Sequence, residues 1–545
     1  MGRLIKRIKS DPIFVPVFFL IIVTIVFLIV YPALRVILYP NIGEYGGFFT
    51  NARWLEALRN SIFMMLLSMI TCTVLAFLFA YGIVRLKLPG SKLFRFVTLL
   101  PIVSPPFIIA LSYILLFGAQ GLITKRLLGL NVNIYGALGL WVVQTISFFP
   151  YAYAVIEGAM GNVSENLEYA ARNLGADRKR AFWDVFFPLC RPGIAGGAMM
   201  AAISVLADFG NPSIIAGDFR LLPTEAYMQM TGWYNVSGAA VLSTILLLPT
   251  LGLFILNRYW LGKKSYTTLT GKEVSLPPWP VHPFVKWSVF TVCSLVFAFI
   301  ILVYGILLVG AFSKTWGYDW SFDPKSFIYV WDKRNFLVRS LLYAFCSSIL
   351  ASIFGIALAW VVERGNLRIK KILDFIAVLP GAIPGTFLGL GFAIALGPAP
   401  FNLTGTAMLL ILALSIWNIP TCYSADCAGL QQIGGSIEQA ASNLGASTSR
   451  MLRDILFPIL RDVFMSGLKL SFLRSMTCLS VVIFIYSVST AVSTVGVLSL
   501  VNSGDWSGAA AFTVMIVVLA FLGMQVIQLV SNLIINGFKR KKKYE

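Results

Sequence analysis

Two charged segments of the chain, residues 168–188 and 438–458, carry the same pattern 270 positions apart. Each begins with Glu, continues with a pair of alanines, reaches a Gly seven positions after the Glu and closes on Phe-Pro. The matching residues are Glu168, Ala170, Ala171, Gly175 and Pro188 in the first copy and Glu438, Ala440, Ala441, Gly445 and Pro458 in the second. A pattern repeated at one spacing indicates two copies of one structural unit. The chain is therefore expected to fold as two similar halves.

Each copy predicts two short helices joined by a tight turn. Ser164 or Asn162 can cap the first helix of the first copy, and Asp177 and Ser447 can cap the second helix of each copy. The Gly of each copy suits the left-handed position that ends a helix. The paired alanines leave a surface that another protein can approach closely, so we expect a docking element that is used twice.

The composition places most of the remaining chain in lipid. Of 545 residues, 58% are hydrophobic and 12% are charged, and the mean hydropathy is +0.83. The net charge of +20 does not indicate nucleic acid, because the basic residues cluster beside the ends of apolar runs. Such a distribution is typical of membrane proteins, whose cytoplasmic loops carry an excess of Lys and Arg.

Twelve apolar runs are long enough to cross a bilayer, which needs about 20 residues. They lie at about 13–37, 60–84, 94–118, 135–160, 194–216, 238–258, 284–312, 339–362, 372–396, 405–430, 464–490 and 508–537. Basic residues before the first run and after the last predict that both termini are cytoplasmic. We predict an all-α membrane protein of twelve transmembrane helices in two parallel six-helix repeats. The predicted boundaries are 1–262 for the first half, 263–283 for a cytoplasmic linker and 284–545 for the second half.

The repeat extends into the apolar runs and brings several prolines with it. Pro150 matches Pro420 at the spacing of 270, and Arg85 matches Arg364 at a spacing of 279, as do Pro101 and Pro105 with Pro380 and Pro384. A proline within a helix removes a backbone hydrogen bond and bends it. We expect two bundles that face each other about an axis along the membrane normal, with a path between them.

Catalytic and metal-binding patterns are missing from the sequence. The seven cysteines are scattered, the single His282 lies at a membrane entry, and no phosphate-binding loop of the form GxxxxGK[ST] occurs. We predict that the chain is no enzyme, has no catalytic residue or metal site, and binds no cofactor of its own. A membrane enzyme lacks support, and an ion-coupled secondary transporter has no task for a doubled cytoplasmic helix-turn-helix.

The doubled segment resembles the EAA loop of the membrane subunits of ABC importers, here spanning about 162–192 and 432–462. The resemblance implies a type I importer permease in the bacterial cytoplasmic membrane. Its implied partners are two copies of an ABC ATPase, a periplasmic or extracytoplasmic solute-binding protein and membrane lipid. The ATPase copies use the ATP, and no nucleic acid is implied. By its spacing to the Gly, the family Glu is expected at Tyr169 and Gln439, whereas this chain has Glu one position earlier in each copy.

The stretches LADFG, LPTEAYMQMTGWYNVSGAA and KSYTTLTGK resemble bacterial ferric-iron importers in which both halves form one chain. This resemblance implies ferric iron as the solute, although related two-half subunits carry thiamine, phosphonate, sulfate or polyamines. The second half of this family often carries Glu where this chain has Cys478.

Ionisable residues at membrane depth usually face a cavity or a partner, because they are costly to insert. Four such residues are Glu157, Asp208, Asp426 and Arg474. Asp208 and Arg474 lie at similar depth in opposite halves, so we expect them to pair across the path. Cys478 is a third candidate residue of the path.

An acidic excess marks the connector after the fifth span. Asp208, Asp218 and Glu225 stand there against Arg220, and the matching connector of the second half carries only Asp505. This excess predicts an acidic outer mouth that favours a cationic solute.

Overall fold

The computed structural model describes residues 14–261, 282–365 and 367–541, and these are largely helical. The basic N-terminal segment and nearly all of the predicted linker 263–283 lie outside the described residues. We number the helical elements α1 to α12, counting an element with a break as one, so that each element of the first half has its counterpart six numbers later. They are α1 (Phe14–Leu38), α2 (Ala52–Arg85), α3 (Ser91–Val103 and Phe107–Leu127), α4 (Ala137–Gly161), α5 (Arg178–Leu206), α6 (Val236–Tyr259), α7 (Pro283–Ala311), α8 (Arg334–Arg364), α9 (Lys370–Gly381 and Gly385–Leu396), α10 (Ala407–Gln432), α11 (Phe457–Thr477) and α12 (Trp506–Lys541).

Shorter elements connect these helices. The short helices are Ile42–Phe48, Glu165–Asn173, Gly210–Ile215, Leu222–Thr231, Lys325–Asp332, Gly435–Asn443, Thr448–Met451 with its continuation Leu452–Leu456, and Ser493–Asn502. Strands β1 (Ser313–Thr315) and β2 (Asp319–Phe322) form an antiparallel pair between α7 and α8.

Ten helices in the described part of the chain are long and apolar enough to cross a membrane, or eleven when the bent α9 counts as one. The exception among the twelve predicted spans is α11, which carries Arg461, Asp462, Lys469 and Arg474. Its predicted extent to residue 490 is wrong, because the helix ends at Thr477 and the chain continues through a short 3₁₀ turn at Val482–Phe484. The predicted fifth span also ends early, at Leu206.

The prolines act in two ways. Pro105 and Pro384 lie in the breaks of α3 and α9, and the two parts of α9 meet at 102°. Pro150 and Pro420 lie inside α4 and α10, which continue through them. At the first break the residue before the proline, Ser104, has the extended backbone that a following proline favours, with φ −112° and ψ 157°, and the helix stops there.

Three helices form the centre of each half. In the first half α2, α4 and α5 pack against one another, and in the second half α8, α10 and α11 do the same. Glycines permit close approach there: a β-carbon on Gly197 of α5 would lie 2.9 Å from the Ala152 carbonyl of α4, and Gly467 stands at the matching place in α11. The repeat seen in the sequence is therefore a repeat of packing.

The first helix of each half packs against the other half. Phe14 of α1 meets Trp360 of α8 edge-on at 5.7 Å between ring centroids. Phe297 of α7 meets Phe94 of α3 in the same way at 5.3 Å. Because α1 and α7 cross over symmetrically, the two halves hold each other through apolar surface at two separate places.

We predict that a Phe94→Cys, Phe297→Cys pair, in a chain whose native cysteines are replaced, forms a disulfide on mild oxidation. After cleavage at a protease site inserted into residues 263–281, the bond should keep both fragments together on a denaturing gel. Phe94→Cys with Leu295→Cys is the matched control, because Leu295 is 67% exposed on α7. Equal linkage in both pairs, or none in the first, would contradict the crossed arrangement.

Candidate coupling site and translocation path

The two predicted docking segments, residues 162–192 and 432–462, each form a helix, a tight turn and a second helix. Ser164 accepts a hydrogen bond from the Asn166 amide at 3.3 Å, which confirms it as the cap of the first helix. Asp177 and Ser447 accept from the amides of the third residue after each, at 2.9 and 3.4 Å. These caps satisfy amides that have no partner within the helix.

Gly175 and Gly445 hold the turns in the left-handed conformation that the sequence predicts. Their φ angles are +87° and +77°, and a β-carbon on either would meet nothing within 4 Å. The amides of Ala176 and Ala446 reach back to the carbonyls of Ala171 and Ala441, 3.0 Å in both copies. Such a bond closes a helix end and satisfies a terminal carbonyl. Glycine is required here by the backbone angle, since the space around it is open.

One arginine in each half ties the end of a span to its docking segment. Arg85 ends α2, donates to the Val163 carbonyl beyond α4 at 2.9 Å and pairs with Glu168 at 3.0 Å. Arg364 ends α8, donates to the Leu430 and Ile433 carbonyls at 2.9 Å and pairs with Glu438 at 2.5 Å. We call Arg85 and Arg364 the bridging arginines. In both copies the Glu carboxylate therefore binds an arginine of the same chain.

The tip of each docking segment exposes a large apolar side chain. Leu174 and Leu444 precede the turn glycines and are each 89% exposed. Ala170 and Ala440 are exposed beside them, Ala171 is partly exposed and Ala441 is buried. Pro188 lies inside α5, and Pro458 lies in the first turn of α11. An exposed leucine on a rigid turn is a feature of contact surfaces for another protein.

The two docking segments differ in charge. The first carries three consecutive basic residues, Arg178, Lys179 and Arg180, whereas the second has Thr448 and Ser449 before Arg450. In the second segment Arg453 bonds to the neighbouring Asp454 at 2.8 Å, and this hydrogen bond raises the pKa of Arg453 above its ordinary value. Two identical partners would therefore meet unlike surfaces.

The predicted pair of Asp208 and Arg474 does not form. Asp208 is buried and accepts hydrogen bonds from the side chains of Gln144 at 3.0 Å and Asn211 at 3.1 Å. Arg474 donates to the Thr421 hydroxyl and lies over the Trp417 ring at 4.5 Å. The prediction failed because depth along a helix does not fix the direction in which a side chain points.

Cys478, the third predicted path residue, is buried at the end of α11. It stands 270 positions after Asp208, and the positions matching Gln144 and Asn211 are Leu414 and Val481. The polar cluster around Asp208 therefore has an apolar counterpart in the second half. The other two ionisable residues also differ: Glu157 pairs with Arg95, and Asp426 is buried in α10.

The predicted acidic mouth is wrong for two of its three carboxylates. Asp208 is hydrogen-bonded inside the bundle, and Glu225 is 2% exposed and pairs with Arg53 at 2.9 Å. Asp218 is exposed, and Arg220 beside it pairs with Glu56 at 3.0 Å. A carboxylate that is neutralised in this way attracts a solute weakly, so the preference for a cation loses its support.

Across the described residues, no three His, Cys, Asp or Glu side chains come together in a group that could hold a metal ion. The cysteines are all free, and six of the seven are buried.

Residues 72–316 and 351–536 match the family model described as the binding-protein-dependent transport system inner membrane component. The chain belongs to this family. It is therefore an ABC-importer permease, and the family's membrane subunits work with an ATPase and a solute-binding protein.

Two relatives align with both halves of the permease. A ferric transport system permease protein of Actinobacillus pleuropneumoniae is 29% identical over 478 residues, which cover 85% of this chain and 70% of the relative. A putative ferric transport system permease protein of Haemophilus influenzae is 29% identical over 455 residues, covering 81% of this chain and 72% of the relative. A putative 2-aminoethylphosphonate transport system permease protein of Salmonella typhimurium is 29% identical over 249 residues, 44% of this chain and 93% of the relative.

Sequence reasoning missed the bridging role of Arg85 and Arg364, although the match between them at a spacing of 279 was visible. That spacing differs from the 270 of the docking segments, so nothing linked each arginine to its Glu. It also missed the contact between halves in which Arg258 of α6 pairs with Asp374 of α9 at 2.5 Å. Asp374 stands 279 positions after Arg95, so the charge is reversed at matching places.

We predict that Arg364→Gln loosens the helix Gly435–Asn443 more than Glu438→Gln does. Arg364 donates to three acceptors, and Arg364→Gln removes all three bonds, whereas Glu438→Gln leaves the two bonds to the backbone carbonyls. A hydrogen bond to a charged group contributes about 1.5–3 kcal/mol to stability. Amide hydrogen exchange of residues 435–443 in the purified permease measures the effect, with an expected acceleration of more than about 10-fold for Arg364→Gln.

Arg368→Gln is the matched control, since Arg368 is exposed four residues further along. Equal exchange in Arg364→Gln and Arg368→Gln would show that the arginine does not hold the docking segment.

Proposed function

We propose that the permease imports ferric iron, which a binding protein delivers and separate ATPase subunits drive through the membrane. The extent of the sequence similarity to known permeases supports this proposal. The relatives named for ferric transport align over 85% and 81% of this chain, and so match both fused halves. The phosphonate relatives align over 44%, which is one half.

We further propose that the docking segments bind two ATPase copies, one each. Leu174 and Leu444 would insert into the partners, and the alanines beside them would allow close approach. The chain contains no phosphate-binding loop, so ATP is bound and hydrolysed by the partners and the permease adds no ATPase site of its own. Because each bridging arginine connects a docking segment to the end of a span, a movement of the ATPase is passed directly to α2 or to α8, and through the Leu430 carbonyl also to α10.

The proposed topology has twelve membrane crossings in two six-helix halves, with both termini in the cytoplasm. The ion pairs support it, because each joins segments that this topology places on one side. Arg85–Glu168 and Arg364–Glu438 join cytoplasmic segments. Arg53–Glu225 joins the outer start of α2 to the outer connector between α5 and α6.

The path is proposed to run between the halves and to open alternately at either end. At the outer end the ring of Tyr227 lies between Phe209 of its own half and Phe484 of the other, at 5.2 and 6.0 Å. At the inner end Arg258 and Asp374 join the two halves. Contacts of this kind must separate in turn if the solute is to pass.

The proposal predicts uptake of radioactive iron by proteoliposomes that contain the permease, its ATPase and its binding protein. Gly445→Val should lower this uptake by roughly 5- to 30-fold, because a left-handed residue with a β-carbon costs about 1–2 kcal/mol. ATP hydrolysis and iron uptake, measured on the same vesicles, report the coupling.

Gly435→Val is the control, since Gly435 has open space and an ordinary backbone angle in the same segment. Absence of iron uptake by the wild type would contradict the proposal that ferric iron is the solute. Unchanged coupling in Gly445→Val would contradict the docking assignment.

A further inference from the structure

Arg474 is a permanent positive charge near the middle of the path. It lies on α11 and donates to Thr421, which is close to the midpoint of α10. The phenol of Tyr151, at the matching midpoint of α4 in the other half, lies within range of the charges of both Arg474 and Asp208. The guanidinium therefore lies where the two halves meet.

The surroundings of Arg474 form a small accessible surface inside the protein. Arg474, Thr421, Trp417 and Tyr151 are each partly exposed, although Arg474 and Tyr151 lie deep within the bundle. Their neighbours Asn418 and Cys478 are buried. Partial exposure at such depth, in residues from both halves, indicates an internal cavity.

Among the described residues, Arg474 forms no ion pair with any Asp or Glu. Asp208 is near enough to act on Tyr151, but its carboxylate accepts hydrogen bonds from Gln144 and Asn211 and does not pair with Arg474. Arginine in a bilayer normally has an anionic or carbonyl partner, because an unpaired charge is costly there. Its planar group is also suited to bidentate binding of carboxylate and phosphate oxygens.

The matching position of the first half is Ser204, whose hydroxyl donates to the Met200 carbonyl of its own helix at 2.8 Å. Likewise Thr421 matches Tyr151, and Trp417 matches Ser147. The pseudo-symmetric backbone therefore carries a cation in the second half only, where it lies over the Trp417 ring, and the aromatic residue of the first half is Tyr151.

We propose that Arg474, Trp417, Thr421 and Tyr151 form an anion-binding subsite for the solute, which passes as an anionic, oxygen-rich complex of ferric ion. The chemical class of the complex rests on the proposed function, whereas the anion site rests on the residues described above. Arg474 binds the ligand oxygens, Trp417 holds the guanidinium plane, and the hydroxyl groups of Thr421 and Tyr151 supply further polar contacts. A bare cation would be repelled at this point.

The test measures binding of radioactive ferric citrate to the full chain in lipid nanodiscs, with hexaamminecobalt(III) as a cationic probe. The wild type should bind the anionic complex, more weakly as salt rises, and should not bind the cationic probe. Arg474→Gln should lower citrate binding by at least about 10-fold, whereas Arg474→Lys should keep most of it because the charge remains.

Lys469→Gln is the matched control, because Lys469 lies on the same helix and bonds to Gln528 of α12 at 2.7 Å. Wild-type binding of the cationic probe, no citrate binding, or equal binding in Arg474→Gln and Lys469→Gln would overturn the subsite. Equal loss in Arg474→Lys and Arg474→Gln would assign Arg474 a purely structural role and would also overturn it.

Iron uptake is measured separately. Citrate binding that depends on Arg474, without iron uptake by the wild type, would reject ferric iron as the solute and leave the anion subsite standing. If a glutamine variant failed to fold, the comparison of the two probes on the wild type would still decide the question.

Discussion

The bond between a span-ending arginine and the Glu of the docking helix is the interaction on which the coupling depends. Arg85 and Arg364 stand at the ends of α2 and α8, and each bonds to its docking segment; Arg364 also bonds to the Leu430 carbonyl near the end of α10. In the first half the docking segment also packs against α2, because the ring of Tyr81 meets the rings of Phe182 and Phe186. Together with the arginine, these contacts join the docking segment and its span into one unit. A force applied at the exposed turn therefore reaches the centre of its half, where α2, α4 and α5, or α8, α10 and α11, pack together.

A repeated backbone carries different chemistry in its two halves. Arg95 in α3 corresponds to Asp374 in α9, and each bonds at its own site: Arg95 with Glu157, Asp374 with Arg258 of the opposite half. Asp208 corresponds to Cys478, and Ser204 to Arg474. Packing needs the repeat, because the two halves must move alike. The path has no such need, since a solute delivered by one asymmetric partner meets both halves at once.

The local structure of the docking segments could be predicted from the sequence, because caps and left-handed glycines are specified by neighbouring residues. The twelve helical elements were also predictable from hydrophobicity, although α11 ends at Thr477 and not near residue 490. The crossed packing of α1 and α7 could not be predicted, since both helices lie outside the clear part of the repeat. The partners of Asp208 and Arg474 could not be predicted either. A sequence gives the depth of a residue in the membrane, whereas the helix rotation that selects Gln144 or Thr421 depends on tertiary packing.

Pulsed electron paramagnetic resonance tests most directly whether docking segment and span move as one unit. Spin labels at Ser436→Cys, an exposed residue of the helix Gly435–Asn443, and at Ile353→Cys, a 55% exposed residue of α8, would report their separation in the assembled transporter with and without ATP. The bridging arginine predicts one narrow distance that is the same in both states, and a broadened distribution when Arg364→Gln is added. A distance that shifts between the two states in the wild type, or that stays narrow without Arg364, would contradict the account.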